Sequence, residues 1–179
     1  MDFIHSIEIN KTDAQDAVMK LSRLMRYLLY ESEHGVTPLG HEINFMNHYI
    51  DLMRLRISPK VELKIDLPDN DNGLKIPPLL FIPFIENAFK HTDFQQQNSF
   101  IKIAIELNQK NFQIQVMNKI SPKNSLKKET GGHGSESLEH RLRMIYENSF
   151  TLSKTIEQDI FVANLKINLH EFYTKMHSR

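Results

Sequence analysis

The segment Glu86-Asn87-Ala88-Phe89-Lys90-His91 sets a carboxylate, an amide, an ammonium and an imidazole at the end of a run that is otherwise apolar: Leu79, Leu80, Phe81, Ile82, Phe84, Ile85, Ala88 and Phe89. On a helix turning about 100° per residue, Asn87 shares a face with Lys90 and His91, and Glu86 lies one turn from Lys90. Oxygen ligands beside a lysine suit a Mg²⁺–phosphate group, because Mg²⁺ prefers hard oxygens and takes few of them from protein. The plainer reading is the polar face of an amphipathic helix with a Glu86–Lys90 ion pair, and periodicity alone favours it.

Two further clusters could serve the same chemistry. Gly131-Gly132-His133-Gly134 precedes a helix expected over Ser137–Glu147, so backbone N–H groups there could face an anion near the helix start, with Arg141 one to two turns on. A glycine cluster by itself more often marks a mobile loop. Asn118 ends the strand expected over Phe112–Met117. Its side-chain carbonyl could accept from an exocyclic amine such as that of adenine, or it could simply form an Asx turn. Lys119, Lys123, Lys127 and Lys128 make the intervening loop basic, as a flap over phosphates or a solvated loop would be. The histidines show no HxxxH or HxH spacing, which argues against zinc, and no GxSxG nucleophile motif is present.

The composition narrows the field. The chain has 179 residues, 40% of them hydrophobic, enough for one domain or a small domain with a helical extension. With no cysteine it has no disulfide and no thiolate metal site. Its 22 basic and 22 acidic side chains balance, so there is no general nucleic-acid surface. No apolar run reaches the roughly 18 residues of a membrane span, and Met1-Asp2 does not open like a signal peptide. These features suggest a soluble, cytoplasmic chain.

The elements that must position these residues follow from periodicity. Thr12-Asp13-Ala14-Gln15 reads as a capping box for a helix with Ala14, Val18, Leu21, Met25, Leu28 and Leu29 at helical spacing. Thr37-Pro38 reads as N-cap and first position of a second helix, striped by Ile43, Met46, Ile50 and Met53. A short connection makes the two an antiparallel hairpin. Val61–Leu67 alternates as a strand. Pro77 and Pro78 suit a helix start, whereas Pro83 must bend the first turns or mark the true start. Ile101–Leu107 and Phe112–Val116 form a β-hairpin, and Phe150–Thr155 and Phe161–Leu169 are two more strands. The expected class is α+β: a sandwich preceded by a helical element.

The order of these pieces resembles a known family. LSRLMRYLLYES, then EINFMNHYIDLMRLR, then IPPLLFIPFIENAFKH, is similar to the LytS-type sensor histidine kinases, and closest to Bacteroidetes-like members paired with LytTR-type response regulators. The resemblance runs from about Phe3 to Leu169 and is most specific over Ile76–His91. It implies a Bergerat (GHKL) α/β sandwich with a mixed sheet over residues 58–170, a helical hairpin of dimerisation type over residues 1–57, and a tail from 171 to 179. ENAFKH resembles the N box. On that reading Asn87 holds Mg²⁺, Glu86 assists as a metal or water-bridging acid, Lys90 reaches the phosphates and His91 helps to close the site. Asn118 stands where many relatives have the adenine-contacting Asp, Gly132 and Gly134 fall in the G box beside an ATP lid, and Arg141 becomes a phosphate neighbour. Implied cofactors are ATP and Mg²⁺; implied partners are a second copy through the N-terminal helices and a response regulator.

The family's G box continues Gly-Ile-Gly-Leu and then Asn, whereas this chain reads Gly132-His133-Gly134-Ser135-Glu136-Ser137. Loss of the apolar anchor at 135 should loosen the lid hinge. The family's phosphoaccepting His lies in an Asn-Pro-His-Phe-like segment upstream of the first helix. Met1–Ile7 resembles the family's stretch just after that acceptor, so His5 is an ordinary helix residue and the chain a fragment of an inner-membrane sensor without its acceptor. The leading expectation is the catalytic half of a histidine kinase, which needs no enzyme nucleophile. The alternative is a degenerate, nucleotide-free domain that dimerises and relays signal. A GHKL ATPase acting on DNA or as a chaperone fits neither the position of the hairpin nor the charge.

Overall fold

The computed structural model describes residues 11–30, 35–58, 61–68, 71–94, 97–108, 111–120 and 133–170, leaving aside the side chains of 11–14 and 133–136. A five-stranded sheet forms its base, in the order β2 (Glu62–Asp66), β4 (Phe100–Leu107), β5 (Asn111–Lys119), β7 (Ile160–Asn168), β6 (Phe150–Glu157). β2 runs parallel to β4, with Leu63 beside Ile101 and Ile65 beside Ile103. A parallel pair requires a crossover, and the intervening chain supplies it, carrying α3 (Ile82–His91) over one face. β4, β5, β7 and β6 pair antiparallel. The alternation read in the sequence is the pleat itself: Ile101, Ile103 and Ile105, then Phe112, Ile114 and Val116, then Ala163, Leu165 and Ile167, all point to one buried face.

That face is covered by α3 and by α4 (His133–Tyr146), through Phe84, Ile85, Ala88 and Phe89 of the first and Leu138, Leu142 and Tyr146 of the second. Phe81, at the start of α3, stacks on Phe112 with ring centroids 5.4 Å apart. The mixed sheet under one layer of helices is the expected α+β sandwich.

The helical hairpin is present as well: α1 (Lys11–Tyr30) lies along α2 (Leu39–Arg54), with Tyr27 stacked on Phe45 at 4.5 Å and Lys20 paired to Asp51 at 3.5 Å. Leu39, Met46 and Ile50 of α2 join the same core as Phe81 and Phe89, so hairpin and sandwich share one apolar interior.

Several local expectations are corrected. α1 already includes Lys11, so Thr12 lies within the helix rather than ahead of it. Thr37-Pro38 is not a capping pair but a two-residue strand, β1, antiparallel to β3 (Lys75–Ile76). Pro38 is itself the N-cap of α2, and distant groups satisfy the first helical amides: Leu39 N–H donates to the Leu74 carbonyl at 2.8 Å and Gly40 N–H to the Asp71 carboxylate at 3.3 Å. A cap supplied from 31 residues away leaves no local signature. Pro77 and Pro78 precede α3 in a turn, and Pro83 marks the true start, in the first turn where its missing N–H costs nothing. α4 begins at His133, so Gly134 lies inside the helix and not in the loop before it.

Candidate functional site

α3 divides its residues as the apolar run predicts. Phe84, Ile85, Ala88 and Phe89 are buried, Asn87 and His91 are half-buried, and Glu86 and Lys90 are exposed. The C-terminal end of α3 meets the end of β5. Thr92 bridges to Ile120, Asp93 N–H donates to the Lys119 carbonyl at 3.2 Å, and the Thr92 hydroxyl closes the last turn on the Ala88 carbonyl at 2.6 Å. The start of α3 lies at the other end of β5, where Phe81 meets Phe112.

α4 runs the opposite way. Its C-terminal end leads through Ser149, which bonds Asn168 at 2.7 Å, into β6 where Phe150 faces Ile167, at the Phe112 end of the sheet. Arg141 donates to the Leu79 carbonyl at 3.1 Å, beside the start of α3. At about 1.5 Å per residue, Gly134 lies about 10 Å further along α4, toward the Asn118 end. The fold thus brings the amide-bearing end of α3, the end of β5 and the N-terminus of α4 to one side.

Asn118 is the unusual group there. It is fully buried (0% exposed), on the helix-facing side of β5 between Ile101 and Phe161 of the flanking strands. Neither its side-chain oxygen nor its nitrogen has a hydrogen-bond partner among the described residues. A buried amide without partners costs about 1–3 kcal/mol, and it offers one donor and one acceptor together, the pattern an aminopurine edge presents in reverse. An Asx turn, which would occupy the carbonyl, is absent.

The remaining predicted residues are placed less directly. Arg141 is held against the Leu79 carbonyl, near the opposite end of α3 from Lys90 and His91, which gives its guanidinium a structural duty. Lys119, read as part of a basic flap, bonds the Gln97 carbonyl at 3.3 Å and pairs with Asp159 at 3.4 Å. Lys123, Lys127, Lys128 and Gly132 lie outside the described residues, as does His5.

Two groups escaped sequence reasoning. Tyr49 of α2 meets Phe89 edge-on at 6.4 Å, and its hydroxyl pKa is pushed up by burial and then by the negative charge of Glu86. Glu42 is a carboxylate 1% exposed. It accepts the N–H of Leu79 at 2.6 Å, the N–H of Leu80 at 3.1 Å and the hydroxyl of Tyr27. Burial pushes its pKa up, against the pull of those donors. The signal was present: Leu39, Glu42, Met46 and Ile50 share one helical stripe, with an acid in an apolar position.

Comparison with known proteins places this fold in a class. The histidine kinase domain of a blue-light activated histidine kinase from Erythrobacter litoralis matches with a TM-score of 0.56 at 13% identity, over 89% of this chain and 76% of that one. The Acinetobacter baumannii histidine kinase AdeS matches with a TM-score of 0.52 at 14% identity, over 85% of this chain and 76% of that one. At such identities the likeness is one of fold, and the fold is that of histidine kinase domains. In sequence, residues 1–61 match the family described as histidine kinase. The sensor protein kinase HptS of Staphylococcus aureus is 32% identical over 78 residues, which are 44% of this chain and 15% of HptS. The match thus spans less than a sixth of that curated relative's length.

Proposed function

We propose that this chain is the ATP-binding catalytic region of a two-component sensor histidine kinase of LytS type, built on a GHKL sandwich over residues 58–170 and a dimerising hairpin over residues 1–57. The observation that carries the reading is Asn118: a buried amide with an unused donor and acceptor, at the end of the sheet where α3 and α4 converge. An adenine edge would satisfy it. Asn87 and Glu86 offer the few hard oxygens that Mg²⁺ takes from protein, and that cation would neutralise charge on the phosphates. Lys90 reaches the phosphates and His91 closes the site; by the resemblance Gly132 and Gly134 would belong to the lid hinge, Gly134 from within the first turn of α4. Arg141 acts from behind by fixing the turn ahead of α3. In the reaction the bond between the β,γ-bridging oxygen and the γ-phosphorus breaks with ADP leaving, and a bond forms from phosphorus to a histidine nitrogen of the acceptor. Positioning and charge stabilisation suffice for this step. The phosphoryl group would pass on to a response regulator, of LytTR type by the resemblance.

Thermal unfolding tests the reading. Mg²⁺ with a nonhydrolysable ATP analogue at a hundredfold excess over Kd is expected to stabilise the chain by about 2.7 kcal/mol. No shift at millimolar nucleotide would favour the degenerate, signal-relaying domain instead.

The hairpin supports a homodimer. Val18, Leu21 and Met25 are 65%, 50% and 54% exposed, yet recur at the spacing of a helix seam. A second copy pairing its hairpin there would form a four-helix bundle. Leu21→Asp with Met25→Asp is expected to weaken self-association by about tenfold or more, read by sedimentation, with helix content unchanged.

A further inference from the structure

We infer that Glu42 is a positioning residue that links α1 to the turn on which α3 and α4 are mounted, and that through this link the hairpin sets the geometry of the site; the second half rests on the nucleotide reading above. A buried carboxylate is retained only where donors converge on it. Here they come from two directions: the Tyr27 hydroxyl from α1, and the Leu79 and Leu80 amides from the turn ahead of α3. The N-cap of α3 is Phe81, which makes no side-chain cap bond; Glu42 instead takes the two amides just ahead of it, which sets its carboxylate near the positive end of the helix dipole.

Leu79 shows why the turn needs holding. Its φ of 59° is left-handed, a region that strains a leucine. It is gripped on both sides of its Cα: Glu42 takes its N–H, and Arg141 of α4 donates to its C=O. An unbroken series of contacts therefore runs from Tyr27 on α1, through Glu42 on α2 and Leu79, to Arg141 on the helix whose N-terminus carries Gly134. Sliding α1 along α2 would withdraw the Tyr27 hydroxyl, loosen the carboxylate and release the strained turn, with α3 and α4 moving together.

Hydrogen–deuterium exchange with mass spectrometry tests the link in the chain itself. Tyr27→Phe keeps the ring on Phe45 and removes only the hydroxyl. It is expected to speed exchange over Leu79–Phe81 by about tenfold, with exchange in β6 and β7 unchanged. Tyr30→Phe, an exposed position on the same helix, is expected to change nothing. Unaltered exchange over Leu79–Phe81 in Tyr27→Phe overturns the inference, as does an equal rise in Tyr30→Phe. Calorimetric titration with Mg-ADP reads the reach into the site: several-fold weaker binding in Tyr27→Phe is expected, and equal binding overturns that reach. If the unsubstituted chain binds no Mg-ADP, the nucleotide reading falls and the exchange result alone decides the link.

Discussion

Asn87→Ala is expected to leave the chain folded and to erase the Mg²⁺-dependent part of its stabilisation by ATP. Phe84, Ile85, Ala88 and Phe89 anchor α3 from the opposite side, and alanine favours a helix, so the fold loses nothing at this half-buried position. What disappears is an oxygen at the end of α3. With the unsubstituted chain, nucleotide at a hundredfold excess over Kd contributes about 2.7 kcal/mol; in the variant, adding Mg²⁺ to saturating nucleotide should produce no further rise in melting temperature over nucleotide with a chelator. Asn87→Asp keeps an oxygen and should keep the Mg²⁺ response. A variant that still responds to Mg²⁺ as the parent does removes Asn87 from the site.

Asn118→Leu should separate stability from binding in opposite directions. Asparagine and leucine branch alike at Cγ with the same side-chain heavy-atom count, and the flanking residues Ile101 and Phe161 are apolar. Removing an amide that has no partner among the described residues should raise nucleotide-free stability by about 1–2 kcal/mol in urea unfolding. The same change removes the donor and acceptor that the proposed site would offer to adenine, and affinity should fall by about a hundredfold. A side chain that served only the fold would give the reverse: a less stable protein with its nucleotide affinity intact. The paired measurement therefore distinguishes a binding residue from a packing residue in one variant.

The sheet and the helices over it were legible because each carries its own period. Ile101-Ile103-Ile105 and Phe112-Ile114-Val116 can bury one face only as strands, and Phe84-Ile85-Ala88-Phe89 only as a helix. The candidate site was legible as three separate clusters, from residue types and from family resemblance. That they meet was expected from the resemblance alone; periodicity could not show that the end of α3, Asn118 and the start of α4 lie on one side, because this depends on α3 and α4 running in opposite directions across β5. The misreadings share a cause as well. Thr37-Pro38 looked like a cap, yet the amides of α2 are satisfied by Leu74 and Asp71, which are near only in the folded chain. Arg141 also donates to the Leu79 carbonyl and Lys119 also pairs with Asp159, contacts that no local pattern announced. Periodicity reports what a segment buries; it is silent on which distant carbonyl or carboxylate takes up a given donor.

The miniature ribbon of Thr37-Pro38 with Lys75-Ile76 bears on how such proteins can be recombined. Together with the Leu39–Leu74 and Glu42–Leu79 bonds, it stitches the base of the second hairpin helix to the segment entering α3. A chimaera spliced at residue 57 would give this sandwich a foreign hairpin that lacks the stitching partners, and would uncover Leu74 and Ile76. Carrying residues 37–50 across with the sandwich keeps that seam closed, and an exchange point that also preserves the Tyr27–Glu42 bond lies ahead of α1.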